Sequence, residues 1–219
     1  MYRVLPLLTD AEVARCQKIA AATAFVDGRI TNPHNIAKNN QQIHDPKAQE
    51  VVASLIGNAF ARSTEFQEFA FPSAIAPAMV VRYQASMHYG GHADAAFLNL
   101  GDRTIRSDLS CTIFLSDPAT YEGGALQIAL GDAQLRFKLM AGDMLLYPSD
   151  TLHEVEPVTS GESLVAITFI QSRIRDPFRR NLLFDLNEVA ALEGLKMSHE
   201  NFSRLQLVQA NLLRYWASK

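Results

Sequence analysis

The feature that most constrains this chain is a succession of short β-prone segments between about residues 78 and 172. AMVVRYQ, HYGGHADAAF, DLSCTIFLS, GALQIAL, QLRFKL, DMLLYP, LHEVEPV and SLVAITFIQS follow one another, divided by turn signals such as DP, EGG, AGD, PSD and TSGE. Runs rich in branched and aromatic residues, bounded by Gly, Pro, Asp and Ser, read as strands. About eight of them at this spacing close into a sandwich or barrel, here a jelly roll. The flanks have a different period. Thr9 or Asp10 can cap a first helix, with Glu12 in its first turn and apolar residues at Val13, Cys16, Ile19 and Ala20. A second helix is expected from Pro46 to about Phe66, with Val51, Leu55, Ile56, Ala59 and Phe60 on one stripe. Between these two helices, residues 27–46 are rich in Asn and Gln and read as a loop or irregular strands. Beyond Asp176 the pattern is helical again and amphipathic. The expected fold class is mostly β with flanking helices. A double-stranded β-helix (jelly roll) core covers 78–175, an N-terminal helical and irregular segment 1–77, and a C-terminal helical extension 176–219.

A chain of 219 residues buries a sizeable core without help from disulfides or a structural metal. The two cysteines, Cys16 and Cys111, form no CxxC pair and read as buried, reduced thiols, which suits a cytoplasmic protein. The N-terminal MYRVLPLLTDAEVARC lacks the form of a signal peptide, and no apolar stretch reaches the length of a membrane span. A formal charge of -3 exerts no general pull on nucleic acid. The expected partners are therefore a small-molecule or peptide substrate, with neither nucleic acid nor membrane.

The chemistry-bearing signal is His92-Ala93-Asp94. Residues i and i+2 of a strand share a face, so an imidazole and a carboxylate converge on one point. His153 is the natural third member. It follows the Pro148-Ser149-Asp150 turn, at the start of a later strand that a jelly roll can lay beside the first. Two histidines and one carboxylate with open positions suit iron(II) oxygenases. Taken alone an HxD triplet is weak evidence. Of the other histidines, His34, His44 and His199 read as solvated, and His88 as a residue near the pocket but not a ligand.

The surrounding text is more specific. RYQASMHYGGHADAA, RSDLSCTIFLSDPATYEGGALQI, KLMAGDMLLYPSDTLHEVEPVTSG and AITFIQSRIRD occur in that order, with FVDGR and KNNQQ before them and LLFDLNEV…NLLRYW after. In these motifs the chain resembles the PKHD-type hydroxylases, bacterial relatives of prolyl 4-hydroxylases among the Fe(II)- and 2-oxoglutarate-dependent oxygenases. The resemblance implies Fe(II) held by His92, Asp94 and His153, with 2-oxoglutarate as co-substrate and dioxygen as oxidant. It also implies hydroxylation of an amino acid, a peptide or a small natural product. In that frame Tyr83 points a phenol at the co-substrate or simply packs the barrel, and Tyr89 and Phe97 join it in the pocket wall. Gly90 and Gly91 let backbone pass close to the metal. Asp108 and Thr112 are candidate partners for the ligand side chains. The loop from Asn32 to His44 is placed to close over substrate.

One position departs from the family pattern. Ten residues after the second histidine the family places Arg, which binds the distal carboxylate of 2-oxoglutarate. Here the text is Gly161-Glu162-Ser163. One hydroxyl does not replace a bidentate guanidinium. Three readings follow. Another cation (Arg82, Arg106, Arg136, Lys138 or Arg173) reaches the site, the co-substrate differs, or the chain is a non-catalytic jelly-roll binding protein. A cupin-like metalloprotein is a further rival, disfavoured because cupin sites use more His and a Glu at other spacings. In the tail, Leu205, Leu207, Leu212 and Trp216 form an apolar stripe, expected to pack on the barrel or to make a homodimer contact.

Overall fold

A computed structural model of the chain describes residues 2–33 and 35–217. Two antiparallel sheets face each other. The larger runs through Arg3–Pro6, Asp143–Pro148, Leu109–Phe114, Ser163–Ser172, Met79–Tyr83, Gln41–Ile43 and Phe25–Asp27, with Pro72–Ile75 also paired to Ser163–Ser172. The smaller runs through Ala133–Phe137, Leu126–Leu130, His153–Val155, His88–His92 and Lys38–Asn39. From Met79 onward the chain passes back and forth between the two sheets, which is the winding of a jelly roll, as the turn-divided strands led one to expect.

Alternation along the strands sorts side chains into two cores. In Leu109–Phe114, Leu109, Cys111 and Ile113 face the helices, whereas Phe114 faces the space between the sheets. In Asp143–Pro148, Met144 and Leu146 take the helix side, Leu145 and Tyr147 the inner side. Strands buried on both faces explain the nearly continuous apolar text of DLSCTIFLS and DMLLYP. The helix-side core includes Phe60, Phe66 and Phe69, each almost fully buried. Side chains of this size stabilise the fold by roughly 1.5–3 kcal/mol each.

Helix Asp10–Ala22 starts at Thr9, whose hydroxyl and Glu12 form a capping box, and it buries Val13, Cys16 and Ala20. The expected second helix is in fact two, Pro46–Arg62 and Thr64–Ala70. Ser63 divides them: its extended backbone ends the first, and its hydroxyl accepts from the Phe66 amide to cap the next. The buried stripe runs through Val52 rather than the expected Val51, with Leu55, Ile56, Ala59 and Phe60. Residues 25–43 supply edge strands to both sheets. Their polar text carries no apolar alternation, so the strands Lys38–Asn39 and Gln41–Ile43 exist through pairing with His88–His92 and Met79–Tyr83.

At the C-terminal end, Pro177–Glu193 docks through buried Arg180 and Leu183. His199–Trp216 lies against that helix, with Gln209 Nε2 donating to Asn187 Oδ1 at 2.9 Å and the Arg179 guanidinium 5.8 Å from the Trp216 ring. It buries no residue fully; of the expected stripe Leu205, Leu212 and Trp216 are half-buried and Leu207 is exposed. Among the described residues no helix is long and apolar enough to cross a membrane.

Candidate metal centre

The smaller sheet carries both histidines of the expected triad. His92 ends one strand, His153 begins its neighbour, and the two pair directly across the ladder with ring centroids 4.2 Å apart. Asp94 lies two residues beyond His92, where its backbone N–H donates to the Ser149 carbonyl at 3.3 Å. One ligand atom from each of His92, Asp94 and His153 lies within 4.8 Å of the other two, the one such cluster among the described residues. His153 Nε2 is 3.7 Å from the Asp94 carboxylate.

Backbone carbonyls determine the imidazole tautomers. His92 Nδ1 is 2.9 Å from the Gly90 carbonyl, and His153 Nδ1 is 2.9 Å from the Thr151 carbonyl. A carbonyl only accepts, so each Nδ1 carries a proton, and Nε2 is the ring atom left to meet a cation. Burial, reinforced by the neighbouring His153, pulls the His92 pKa down to about 4, so its ring is neutral at neutral pH. Tyr89 stacks on His92 at 3.6 Å, and Tyr147 meets His153 edge-on at 5.1 Å.

The carboxylate is oriented by a row of serines. Ser110 Oγ donates to Asp94 at 2.5 Å; it lies 2.9 Å from Ser149 Oγ, which lies 2.7 Å from Ser107 Oγ. A hydroxyl has one proton to give. With Ser110 donating to Asp94, Ser149 donates to Ser110 and Ser107 to Ser149. Two imidazoles, one carboxylate and an open side toward a cavity are a donor set that fits divalent iron.

The cavity beside this cluster is walled by Phe114, Leu126, Val165 and Ile167, and by the hydroxyls of Tyr83, Thr112, Tyr147 and Ser163. The Tyr83 hydroxyl accepts from Asn40 Nδ2 at 2.9 Å, and burial pushes its pKa up, so the phenol stays protonated. Ser163 pairs with Tyr83 across the larger sheet and is 2% exposed.

Several expected positions lie elsewhere. Phe97 is 64% exposed and turned away, and Leu98 lines the cavity in its place. Thr112 lines the cavity, but Asp108 binds Arg106 and the Ser172 amide rather than a ligand histidine. Gly90 makes room for Ala37, not for a metal: a Cβ there would stand 2.8 Å from the Ala37 Cβ. At Gly91 a Cβ would meet nothing within 4 Å. His88 bonds the Ser86 carbonyl outside the cavity, His44 and His199 are exposed, and His34 lies outside the described residues.

None of the five cations considered from sequence lines the cavity. Arg82 turns outward to Gln41 and Glu162, Arg106 to Asp108, and Arg136 to Glu156. Lys138 donates to the Tyr121 carbonyl and Arg173 to that of Pro72. The lysine that does line the cavity is Lys38, from the polar stretch read as a loop or irregular strands. In the sequence its text, KNNQQ, served only to carry the family resemblance and gave Lys38 no role.

Residues 78–171 match the 2OG-Fe(II) oxygenase superfamily. Over 216 residues the chain is 55% identical to a PKHD-type hydroxylase of Sphingopyxis alaskensis, with 99% of each chain covered. The chain belongs to the PKHD-type hydroxylases. It is thus a dioxygenase of the class that uses Fe(II), 2-oxoglutarate and dioxygen. Solved structures share the fold of this PKHD-type hydroxylase at low identity. A Pseudomonas putida prolyl-4-hydroxylase superposes with a TM-score of 0.57 at 16% identity, over 78% of this chain and 92% of that one. HygX of Streptomyces hygroscopicus, with nickel, 2-oxoglutarate and hygromycin B bound, gives 0.57 at 16% identity over 78% and 82%.

Proposed function

We propose that this PKHD-type hydroxylase holds Fe(II) through His92 Nε2, His153 Nε2 and the Asp94 carboxylate, and hydroxylates an unactivated C–H bond of an amino acid, a peptide or a small natural product. The carrying observation is the convergence of those three ligand atoms within 4.8 Å at the wall of a cavity. Iron of this class, with 2-oxoglutarate and dioxygen, supplies the oxidative decarboxylation of the keto acid to succinate and carbon dioxide and puts one oxygen atom into the substrate C–H bond.

The chain's own residues do the rest. The Gly90 and Thr151 carbonyls keep both imidazoles in the ligating tautomer. Ser110 fixes the carboxylate. Tyr89 covers the outer face of His92. Phe114, Val165 and Ile167 exclude water from the co-substrate space, where Tyr83 and Ser163 offer hydroxyls. Names of structural neighbours support the substrate class: a Trichoplax adhaerens prolyl hydroxylase in complex with a peptide fragment for a peptide, and HygX with hygromycin B bound for a small natural product. The two buried free thiols accord with a cytoplasmic setting, and the charge of -3 with a substrate other than nucleic acid.

The test is ferrous-dependent conversion of 2-oxoglutarate to succinate, together with the absorption band that forms when the keto acid chelates the iron without oxygen. Both are expected in the wild-type protein and absent from His92→Ala and Asp94→Ala. A wild-type protein that forms neither succinate nor the band is not an oxygenase of this kind.

A further inference from the structure

Lys38 is the one lysine or arginine among the described residues lining the metal cavity, and its side chain comes from the edge strand that pairs with the His92 strand. The residue is 8% exposed. Its ammonium donates to Thr31 Oγ1 at 2.7 Å and lies 5.3 Å from the centroid of the Tyr89 ring. Thr31 is set up to accept, because its own proton goes to the Gly28 carbonyl or to Gln42 Oε1, at 3.1 and 3.2 Å. An ammonium has three N–H donors, and one hydroxyl occupies one of them.

The two carboxylates whose charge is felt at this amine are Asp27 and Asp94, and neither forms an ion pair with it. Asp27 is taken by Arg29, and Asp94 faces Ser110 and His153. Burial lowers the Lys38 pKa, and the two distant carboxylates only partly oppose that. A buried cation without a counter-ion is costly and calls for an anion. Lys38 shares that cavity with Tyr83 and Ser163, which pair across the larger sheet, and Asn40, two residues on from Lys38, donates to the Tyr83 hydroxyl from behind the wall. Ser163 is where the family text would place the arginine, and a serine there brings no positive charge to the cavity.

We infer that Lys38 supplies the cation for the distal carboxylate of 2-oxoglutarate in this chain, in place of the arginine absent at Ser163. The inference rests on the oxygenase reading above. It assigns the anchor to the smaller sheet's edge strand rather than to the strand Ser163–Ser172.

The experiment compares 2-oxoglutarate with 2-oxopentanoate, which keeps the chelating keto acid and carries a methyl group in place of the distal carboxylate. Dissociation constants are read anaerobically from the iron absorption band. The wild-type protein is expected to prefer 2-oxoglutarate by about tenfold or more, the scale of a charge-assisted contact. Lys38→Met is expected to abolish that preference by weakening 2-oxoglutarate alone, with ferrous and 2-oxopentanoate affinities within about twofold of wild type. Lys38→Arg is expected to retain the preference. A Lys38→Met protein that still discriminates overturns the assignment while leaving the oxygenase reading intact. So does a wild-type protein that binds both acids equally, a result that needs no variant to fold. If neither acid binds the iron-loaded protein, the oxygenase reading falls and this inference with it.

Discussion

Asp94 owes its orientation to one hydroxyl, and that hydroxyl is itself held in place by two more. Ser110→Ala removes the proton donated to the carboxylate and leaves buried Ser149 without the acceptor for its own proton. Outer partners of ligands are worth about 10–100-fold in metal affinity. Ser110→Ala is therefore expected to bind Fe(II) more weakly by about that factor while keeping the wild-type circular dichroism. Anaerobic ferrous titration reads the affinity, and an unchanged value would show that the serine row has no part in the site. At this scale the sequence was informative where residue type and spacing suffice. His92-Ala93-Asp94 names two members of the cluster, and strand geometry brings in His153. It was silent where chemistry depends on neighbours distant in the chain. Ser107, Ser110 and Ser149 are ordinary residues until two strands and a turn bring them within 3 Å. Lys38 likewise looks like any loop lysine until the edge strand carries it inward.

At the scale of elements, the strand Ser163–Ser172 depends on the turn that launches it. Gly161 there has φ +74, and a Cβ would stand 2.3 Å from the Thr120 carbonyl oxygen and 2.8 Å from the Tyr121 Cα. Gly161→Ala adds backbone clash to the roughly 1–2 kcal/mol that a left-handed conformation costs an L-residue. Gly101 also has positive φ, +92, but nothing lies within 4 Å of its Cβ position. Gly161→Ala is thus expected to lose clearly more stability in urea unfolding than Gly101→Ala, whose loss should stay near 1 kcal/mol. Equal losses would mean that the turn yields at no cost. The same comparison of local and tertiary causes explains which elements could be read in advance. The capping box Thr9–Glu12 and the apolar runs of the two sheets are written locally. The break at Ser63 and the edge strands Lys38–Asn39 and Gln41–Ile43 are not. Ser63 is an acceptable helix residue whose extended conformation is chosen by where helix Thr64–Ala70 must bury Phe66 and Phe69. Edge strands of Lys, Asn and Gln are made by the ladder they join.

Across the whole molecule the larger sheet divides two unlike interiors. On its helix side Phe60, Phe66, Ile113 and Met144 pack into a continuous apolar core. On its other side the core of Val81, Phe114, Leu145 and Val165 borders the cavity that His92, Asp94 and His153 overlook. The inner half is therefore completed by what binds there, and its stability is linked to ligand. A ligand that binds only the folded chain stabilises it by RT ln(1 + [L]/Kd), about 2.7 kcal/mol at a hundredfold excess over Kd. For a chain of this length one kcal/mol moves Tm by about 2–4 °C, so saturating Mn(II) with 2-oxoglutarate is expected to raise Tm by roughly 5–10 °C. His153→Ala should lose that increment. Phe66→Ala, on the helix side, should lower the starting Tm through a cavity worth about 3–5 kcal/mol, yet keep the ligand-induced rise if enough folded protein remains to titrate. Calorimetry of the three proteins with and without metal and keto acid separates the two interiors. A rise that survives His153→Ala, or one that disappears in a folded Phe66→Ala protein, would show that the ligand does not act through the inner half alone.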